Sequence, residues 1–519
     1  MEVTFLPMNR KAVAKTGDNI LGIARSLGID LDAICSGYGS CKKCKVIISK
    51  GNNKQLTQLE EETFTKEEVA SGLRLACQYV VTSDICVIVP GSNQTKKSLG
   101  IKKNVPYRAN KRLGVAFDLG TTSVAASLWD LDEKRKLGYV TGNNKQRVFG
   151  ADVISRITYS LESQNNLHRL QGLILKTCNE LIHELLEQVQ LDEGSILSIV
   201  AVGNTTMSHL FVGERVEAFS KSGIPPTFME GDSRNANQMG LLSNSLAQID
   251  ILPNIGGHVG SDTLACILAT KIYDTDETCL IIDVGTNGEM VLASKGRMLA
   301  CSTAAGPAFE GATISQGMRA IPGAISEVII EGEDIRLKVI GNVEPIGICG
   351  SGIIDAIAGM KNNGYIDHTG RILKSNGKDH DLENWNPNFL LARMEGEKVV
   401  SIIQKDIREV QLAKAAIHAG VTVLLKQMEL SLDEVDHVYL AGAFGSHINI
   451  QNAITIGLLP CIDVKKVKYI GNGALQGAEQ VLNNIVTLTE VKAIRNKVEH
   501  LELAQEDTFK EEYIKSINF

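Results

Sequence analysis

Two separated stretches of the chain follow one grammar. LGVAFDLGTTSVAASLWD (113–130) and CLIIDVGTNGEMVLAS (279–294) each run as an apolar strand, an aspartate, a Gly-Thr turn and a second strand. Recurrence on this scale constrains the architecture more than any other feature, because it implies a duplicated α/β fold with two similar halves facing each other. The chain has room for it: 519 residues exceed what one hydrophobic core serves, and two to four domains are expected. With 44% hydrophobic residues, 22% charged residues and a net charge of -7, the composition excludes disordered and fibrous classes. Aromatic residues make up only 5%, and no Lys/Arg run is interleaved with them, so a nucleic-acid stacking platform is excluded as well.

The opening MEVTFLPMNRKAVAKTG lacks the apolar core and cleavage site of a signal peptide, and no apolar run approaches the roughly 18 residues that span a bilayer. A cytoplasmic location is expected, where thiols stay reduced and clustered cysteines bind metal or do chemistry more often than they pair. Residues 1–92 read as a small β-rich domain with one helix. GDNILGIARSLGI places Ile20, Leu21, Ala24 and Leu27 on one helical face, while CKVIISKG and DICVIVPG read as strands closed by glycine. A linker is expected over 93–112: GSNQTKKSLGIKKNVPYRANKR, starting at Gly91, holds seven Lys/Arg and no acidic residue, an ordered basic arm being the alternative. A middle domain over 113–255 then carries the first copy of the repeat, and a C-terminal domain over 256–519 carries the second. The tail EDTFKEEYIKSINF reads as a solvated helix or a frayed end.

Four of the eleven cysteines are patterned: Cys35-x5-Cys41-x2-Cys44, and Cys77 inside LRLACQ. Zinc sites usually pair two Cys-x2-Cys knuckles, and here the second is missing. Four thiolates, three of them on one loop with Gly37 and Gly39, match a [2Fe–2S] cluster better, with one more residue in the first gap than the plant-type spacing; zinc is the alternative. Glycines suit such a loop because backbone without a Cβ wraps closely round inorganic sulfides. This region resembles the [2Fe–2S] ferredoxins, the longer gap resembling their adrenodoxin-like branch, which implies a β-grasp-like α+β domain. Lys42 and Lys43 read as a solvated turn, or as charges steering an acidic electron donor. Cys86 is expected as a buried core thiol, and Cys178, Cys266, Cys279, Cys301, Cys349 and Cys461 as small hydrophobes.

In both repeats an aspartate, Asp118 or Asp283, stands where a strand meets a tight turn. Such a carboxylate can hold Mg²⁺ directly or through water, while Gly120, Thr121 and Thr122, or Gly285, Thr286 and Asn287, grip phosphate oxygens. One Asp-x-Gly-Thr turn is a weak signal; two copies flanked by strands clamp a nucleotide. No Walker A sequence occurs, so a P-loop ATPase is excluded. HVYLAGAFGSHI, with Gly442 and Gly445, reads as strand, glycine turn and helix start, as does YIGNGALQGAEQ with Gly473; the latter lacks a full βαβ unit after it, which argues against a dinucleotide fold.

Together these segments resemble the actin-like ATPase superfamily of acetate and sugar kinases, heat-shock chaperones and actin, with its duplicated RNase H-like fold. The resemblance implies that DLGTTS and DVGTNGE are the two phosphate motifs and LAGAFG the adenosine motif. VGNTTM (with Gly203 and Asn204) and GNGALQGAE look like the connecting segments. Glu289 and Glu310 become candidates for the carboxylate that orients water or metal, turn solvation or capping being the alternative for each. His258, His418 and His447 also lie in possible site loops, a core or surface histidine being the plainer reading.

The whole chain resembles one family, the ATP-dependent reductive activators of corrinoid proteins. FGADVISRI (149–157), GGHVGSDTLA (256–265), AAGPAFEGATISQGM (304–318), GICGSGIIDAIAG (347–359) and IREVQLAKAAIHAG (407–420) look like its signature blocks. The resemblance implies one-electron reduction of cob(II)amide to cob(I)amide, driven by Mg²⁺ and ATP. It further implies a [2Fe–2S] cluster on Cys35, Cys41, Cys44 and Cys77, a low-potential donor such as ferredoxin or flavodoxin, and a homodimer. No Asp-x-His-x-x-Gly string occurs, so the cobalt is expected on a partner corrinoid protein. Three rivals stay open: an activator of another low-potential metalloenzyme such as a 2-hydroxyacyl-CoA dehydratase, a redox-sensing actin-like module, and a small-molecule kinase with an electron-transfer appendage.

Overall fold

The computed structural model describes the chain except residues 16, 30, 32, 34–36, 38, 40, 41, 52–55, 91–110, 151, 221–223, 374–387, 395–398 and 443–447. It divides into two compact units, Met1–Ile251 and Leu252–Phe519. Among the described residues no helix is long and apolar enough to cross a membrane.

Five strands open the first unit: β1 (Glu2–Leu6), β2 (Arg10–Val13), β3 (Lys45–Lys50), β4 (Leu73–Leu75) and β5 (Ile85–Ile88), in sheet order β2-β1-β5-β3-β4. Helix Ile20–Ser26 buries Ile20, Leu21, Ile23 and Ala24 with Val3, Phe5, Val46 and Val87 of the sheet. Exposure alternates along β1, as it does where one sheet face meets a core and the other meets water. This is a β-grasp ferredoxin fold.

A six-stranded sheet follows, built from β6 (Leu113–Leu119), β7 (Ser123–Asp130), β8 (Arg135–Asn143), β9 (Ile196–Val202), β10 (Asp232–Asn235) and β11 (Gln248–Ile251) in the order β10-β11-β9-β6-β7-β8. Strands β6, β7 and β8 form an antiparallel meander, and β9 and β11 continue it in parallel. Central β6 is buried along nearly its whole length, which accounts for its unbroken apolar run. Helix Gln164–Val189 lays Leu167, Leu170, Ile174, Cys178, Leu181 and Leu185 into this core at helical spacing. The end of the expected linker is pinned: Lys111 Nζ lies 2.6 Å from both Asp130 and Glu133, and Arg112 lies 3.6 Å from Asp132.

The second unit repeats the plan. Its strands are β12 (Cys279–Val284), β13 (Gly288–Ser294), β14 (Arg297–Thr303), β15 (Ala324–Glu331), β16 (Asp334–Val339), β17 (Gly347–Ile348), β18 (Asn388–Arg393), β19 (Val399–Ile403), β20 (His437–Ala441), β21 (Val467–Gly471) and β22 (Val498–His500). The main sheet runs β21-β20-β12-β13-β14-β22, again an antiparallel meander (β12, β13, β14) extended by parallel strands (β20, β21). A small sheet β16-β15-β17 and the hairpin β18-β19 are inserted between β14 and helix Gln404–Gln427. The duplication legible in the two Asp-Gly-Thr stretches is thus a duplication of sheet topology.

The tail takes the first of its two expected readings, a helix with no buried residue, and not the second, a frayed end. The helix is Asp507–Lys515, and the end beyond it is tied down: Gln411 Nε2 donates to Ile517 O at 3.0 Å and Phe519 N–H to His368 O at 2.8 Å. The Phe519 ring also lies 5.4 Å from Lys414 Nζ. An aromatic last residue gives the end apolar surface to bury, which the charges before it conceal.

Candidate functional site

Strand pairing brings two of the patterned cysteines together. Lys45 pairs with Leu75 across antiparallel β3 and β4, so the chain enters β3 beside the point where it leaves β4, and Ala76 N–H donates to Cys44 O at 2.8 Å. Both thiols are buried. The hydrogen bond with Cys44 is the main cause that draws the Cys77 thiol down to about 6, against the opposing effect of burial; Gln78 Nε2 adds a donor at 3.5 Å. Asn19 ties the helix start to this corner: its Oδ1 accepts from Gly22 N–H at 2.8 Å and its Nδ2 donates to Cys77 O at 3.3 Å. Gly37 and Gly39 take φ of +104° and +84°, and a Cβ on Gly39 would stand 2.8 Å from Leu59 Cδ2. Adjacent thiols beside a loop that only glycine can build fit a [2Fe–2S] cluster. Cys35 and Cys41 lie outside the described residues. Lys42 and Lys43 are half-buried, which departs from a freely solvated turn.

The first Asp-Gly-Thr turn is set by register. Asp118 of β6 stands opposite Ala125 of β7 and Val202 of β9, so Gly203 and Asn204, which follow β9, start beside Leu119. A Cβ on Gly203 would lie 3.0 Å from Leu119 O. Asn204 caps the buried helix Thr205–Val212, its Oδ1 accepting from Thr206 N–H at 2.9 Å. Gly120 closes the turn so tightly that a Cβ would meet Ser123 O at 2.3 Å. Asp118, Gly120, Thr121, Thr122, Gly203 and Asn204 therefore gather at one end of one sheet.

The second turn is built the same way. Asp283 of β12 stands opposite Glu289 of β13 and Ala441 of β20, and Gly442 follows β20 as Gly203 follows β9. Gly442 has φ of +92°, and a Cβ there would lie 2.6 Å from Asp283 Oδ1. Gly285 N–H donates to Asn287 O at 2.9 Å, and the Thr286 hydroxyl donates to Glu310 Oε1 at 2.6 Å. Gly473 opens helix Gly473–Leu482 against Cys266, whose Sγ lies 3.8 Å from Asp283 Oδ2. Gly445 lies outside the described residues.

One residue missed by sequence reasoning joins this cluster. Asp262 sits in the first turn of helix Ser261–Thr270, and burial pushes its carboxyl up to about 6. Glu289 is raised well above the carboxylate range, first by burial and then by the charges of Asp262 and Asp283. Ser302 Oγ donates to Glu289 Oε1 at 3.4 Å. Neither Glu289 nor Glu310 caps a helix: Glu289 lies within a central strand and Glu310 is occupied by Thr286. The available signal for Asp262 was an acidic residue opening an apolar helix in GSDTLACIL.

Among the described residues no three His, Cys, Asp or Glu side chains form a closed metal cage. The arrangement fits Mg²⁺ of the kind that arrives with nucleotide phosphates and keeps several waters. His258 is exposed, His418 is half-buried on helix Gln404–Gln427 and lowered by burial and then by Lys414, and His447 lies outside the described residues. Cys86 is only half-buried, correcting the expectation of a buried core thiol, and Cys461, read as a small hydrophobe, is exposed in the bend before β21; Cys178, Cys266, Cys279, Cys301 and Cys349 are buried.

Comparison with known proteins agrees with this geometry. Residues 3–82 match the family model described as a 2Fe-2S iron-sulfur cluster binding domain, 113–275 the RACo middle region, and 277–519 the C-terminal domain of RACo, the ASKHA domain. A corrinoid activation enzyme, RamQ, of Eubacterium limosum is 31% identical, the match covering 100% of this chain and 99% of the relative. A [Co(II) methylated amine-specific corrinoid protein] reductase of Methanosarcina barkeri is 27% identical over 78% of this chain and 77% of its own length. The solved structure of a reductive activator for corrinoid, iron-sulfur protein superposes with a TM-score of 0.72 at 30% identity, covering 100% of this chain and 98% of that one. With its ferredoxin domain, its duplicated Asp-Gly-Thr turns and a relative matched from end to end, the chain belongs to the family of reductive activators of corrinoid proteins.

Proposed function

We propose that this chain couples ATP hydrolysis to the one-electron reduction of a partner corrinoid protein, cob(II)amide to cob(I)amide. The observation that carries the reading is the presence in one chain of a ferredoxin fold joining Cys44 to Cys77 and two strand-Asp-Gly-Thr-strand turns. Family membership supports it.

Cys35, Cys41, Cys44 and Cys77 would hold the [2Fe–2S] cluster, which when bound supplies a one-electron carrier. Around it the chain's own groups shape the environment: Gln78 donates toward the Cys77 sulfur, and Lys42 and Lys43 offer positive charge to an acidic, low-potential donor such as ferredoxin or flavodoxin. Asp118 in the first unit and Asp283 in the second would each suit a nucleotide-borne Mg²⁺, directly or through water, with Thr121 and Thr122 beside the one and Thr286 and Asn287 beside the other as phosphate donors. Asp262, Glu289 and Glu310 are the carboxyls available to orient the attacking water. For one electron, about 59 mV corresponds to a tenfold equilibrium factor, so an acceptor a few hundred millivolts below the donor needs several kcal/mol of coupling. Nucleotide state supplies it when the partner binds the two states of the activator with different affinity. The reading includes a cytoplasmic homodimer.

The test is cob(II)amide reduction by the full-length protein with a corrinoid protein, an electron donor and either ATP or none. ATP-dependent appearance of cob(I)amide supports the reading; ATP turnover that no corrinoid protein stimulates and no reduction in either condition would sink it.

A further inference from the structure

Behind the first phosphate turn lies a buried polar network to which none of the motifs gave a role. Arg156, on helix Val153–Glu162, has no exposed surface, yet its guanidinium is fully engaged. Nη2 donates to Thr121 O at 2.5 Å, Nε to Gly150 O at 2.9 Å, and Nη1 to Gln146 Oε1 at 3.2 Å and Met207 Sδ at 3.3 Å. Asn144, also buried, donates from Nδ2 to Gly120 O at 2.9 Å, and its backbone N–H donates to Thr122 O at 3.1 Å. Gln146 locks the two together: its N–H donates to Asn144 Oδ1 at 3.0 Å, and its Nε2 is anchored on Leu170 O at 3.0 Å.

The consequence is geometric. All three carbonyls of the turn, those of Gly120, Thr121 and Thr122, are held by donors behind it. In a trans peptide the C=O and the following N–H point in opposite directions. Each following N–H, on Thr121, Thr122 and Ser123, therefore points away from the donor that holds its carbonyl, and successive N–H groups in a turn make a concavity for anions. Arg156 also reaches Met207 in the helix that follows Gly203 and Asn204, so one guanidinium joins the turn to the neighbouring segment of the same site. A charge-assisted hydrogen bond to a carbonyl is stronger than a neutral one, which suits a group that must hold a backbone in one orientation.

We propose that Arg156, with Asn144, is the positioning residue of the first phosphate turn: it fixes the carbonyls of Gly120–Thr122 so that their partner N–H groups receive nucleotide phosphates. This rests on the reading of that turn as a phosphate site. Arg156 does not touch the nucleotide itself. The second turn has a different closure, with Gly285 N–H on Asn287 O and the Thr286 hydroxyl on Glu310, so the network is a feature of the first turn.

The experiment compares dissociation constants for ATP and for adenosine in the full-length protein and in Arg156→Lys and Asn144→Ser. Circular dichroism and the visible spectrum of the cluster-loaded chain report folding. Loss of the phosphate preference is expected: about tenfold or more weaker ATP binding with adenosine affinity unchanged, a split that general destabilisation does not produce. ATP binding that stays as tight as in the wild type, or ATP and adenosine binding that weaken by the same factor, would overturn the proposal while leaving the phosphate reading intact. A wild-type protein that binds adenosine as tightly as ATP would overturn both. Should Arg156→Lys fail to fold, Asn144→Ser is judged by the same outcomes.

Discussion

Asp283 and Glu289 face each other across strands β12 and β13, and Glu289 is held well above the usual carboxylate range by burial and by the charges of Asp262 and Asp283. Three carboxyls concentrated at one strand end are costly unless a cation or a proton is shared among them. Replacing Asp283 with Asn removes the candidate cation contact with little change in shape. ATP-dependent corrinoid reduction is expected to fall by about a hundredfold or more, with the visible spectrum of the cluster unchanged. Glu289→Gln and Asp262→Asn, tested in parallel by single-turnover ATP hydrolysis, separate a water-orienting role from a metal-binding one: the former lowers the hydrolysis rate and spares nucleotide affinity.

Cys77→Ser makes the opposite separation. It removes one thiol of the Cys44–Cys77 pair without disturbing either six-stranded sheet. The expected outcome is loss of cluster absorbance and of corrinoid reduction, with nucleotide affinity retained in a calorimetric titration. A protein that lost nucleotide binding as well would count against two separately folded functions.

Gly442→Ala probes the backbone of the second turn. At φ of +92°, with a Cβ 2.6 Å from Asp283 Oδ1, the change costs about 1–3 kcal/mol of local strain. The strain falls on the aspartate side chain. ATP affinity should drop more than global stability does, which calorimetry and chemical denaturation together would measure.

Lys414 gives a pH signature of its own. Burial, and next the neighbouring charge of Lys361, lower its ammonium to about 8. An unfolded lysine keeps its proton to about pH 10.4, so between roughly pH 8 and 10 the unfolded chain binds more protons and stability rises with pH. Below pH 8 both states are protonated and the full burial cost, ~3 kcal/mol at most, is present. Lys414→Met should flatten that rise between pH 8 and 10. It should also stabilise the protein at pH 7 by about 1 kcal/mol, because loss of the bond to Asn518 O offsets part of the gain. Denaturant melts at pH 7 and 9.5 check both.

Much of this was legible in the chain itself. The strand-Asp-Gly-Thr-strand repeat is local, so hydrophobic patterning and turn chemistry disclosed both copies, and β6–β7 and β12–β13 lie where the repeat put them. The cysteine spacing was similarly local for the loop. Asp262 and Cys266 were not legible: they reach Asp283 and Glu289 because helix Ser261–Thr270 packs on helix Gly473–Leu482, where a Cβ on Gly477 would lie 2.0 Å from Ala265 O. Asp262 precedes Asp283 and Glu289 by under 30 residues, yet its helix is set by a second helix some 200 residues on, which nothing nearby in the sequence announces. The helix of the tail was legible, but not the anchoring beyond it, since the charges of Asp507–Lys515 hide an aromatic residue that packs by Lys414.

By itself the sequence determined which short-range units exist: a cysteine loop, two Asp-Gly-Thr turns, and the strands and caps that periodicity and local hydrogen bonding dictate. Only the tertiary structure decided which buried polar groups serve those turns. Arg156 reaches Thr121 from helix Val153–Glu162, and Glu289 acquires its altered carboxyl first from burial and then from Asp262 on another element. A buried charge or carbonyl must find its partner wherever folding places one, and that placement is fixed by packing rather than by distance along the chain.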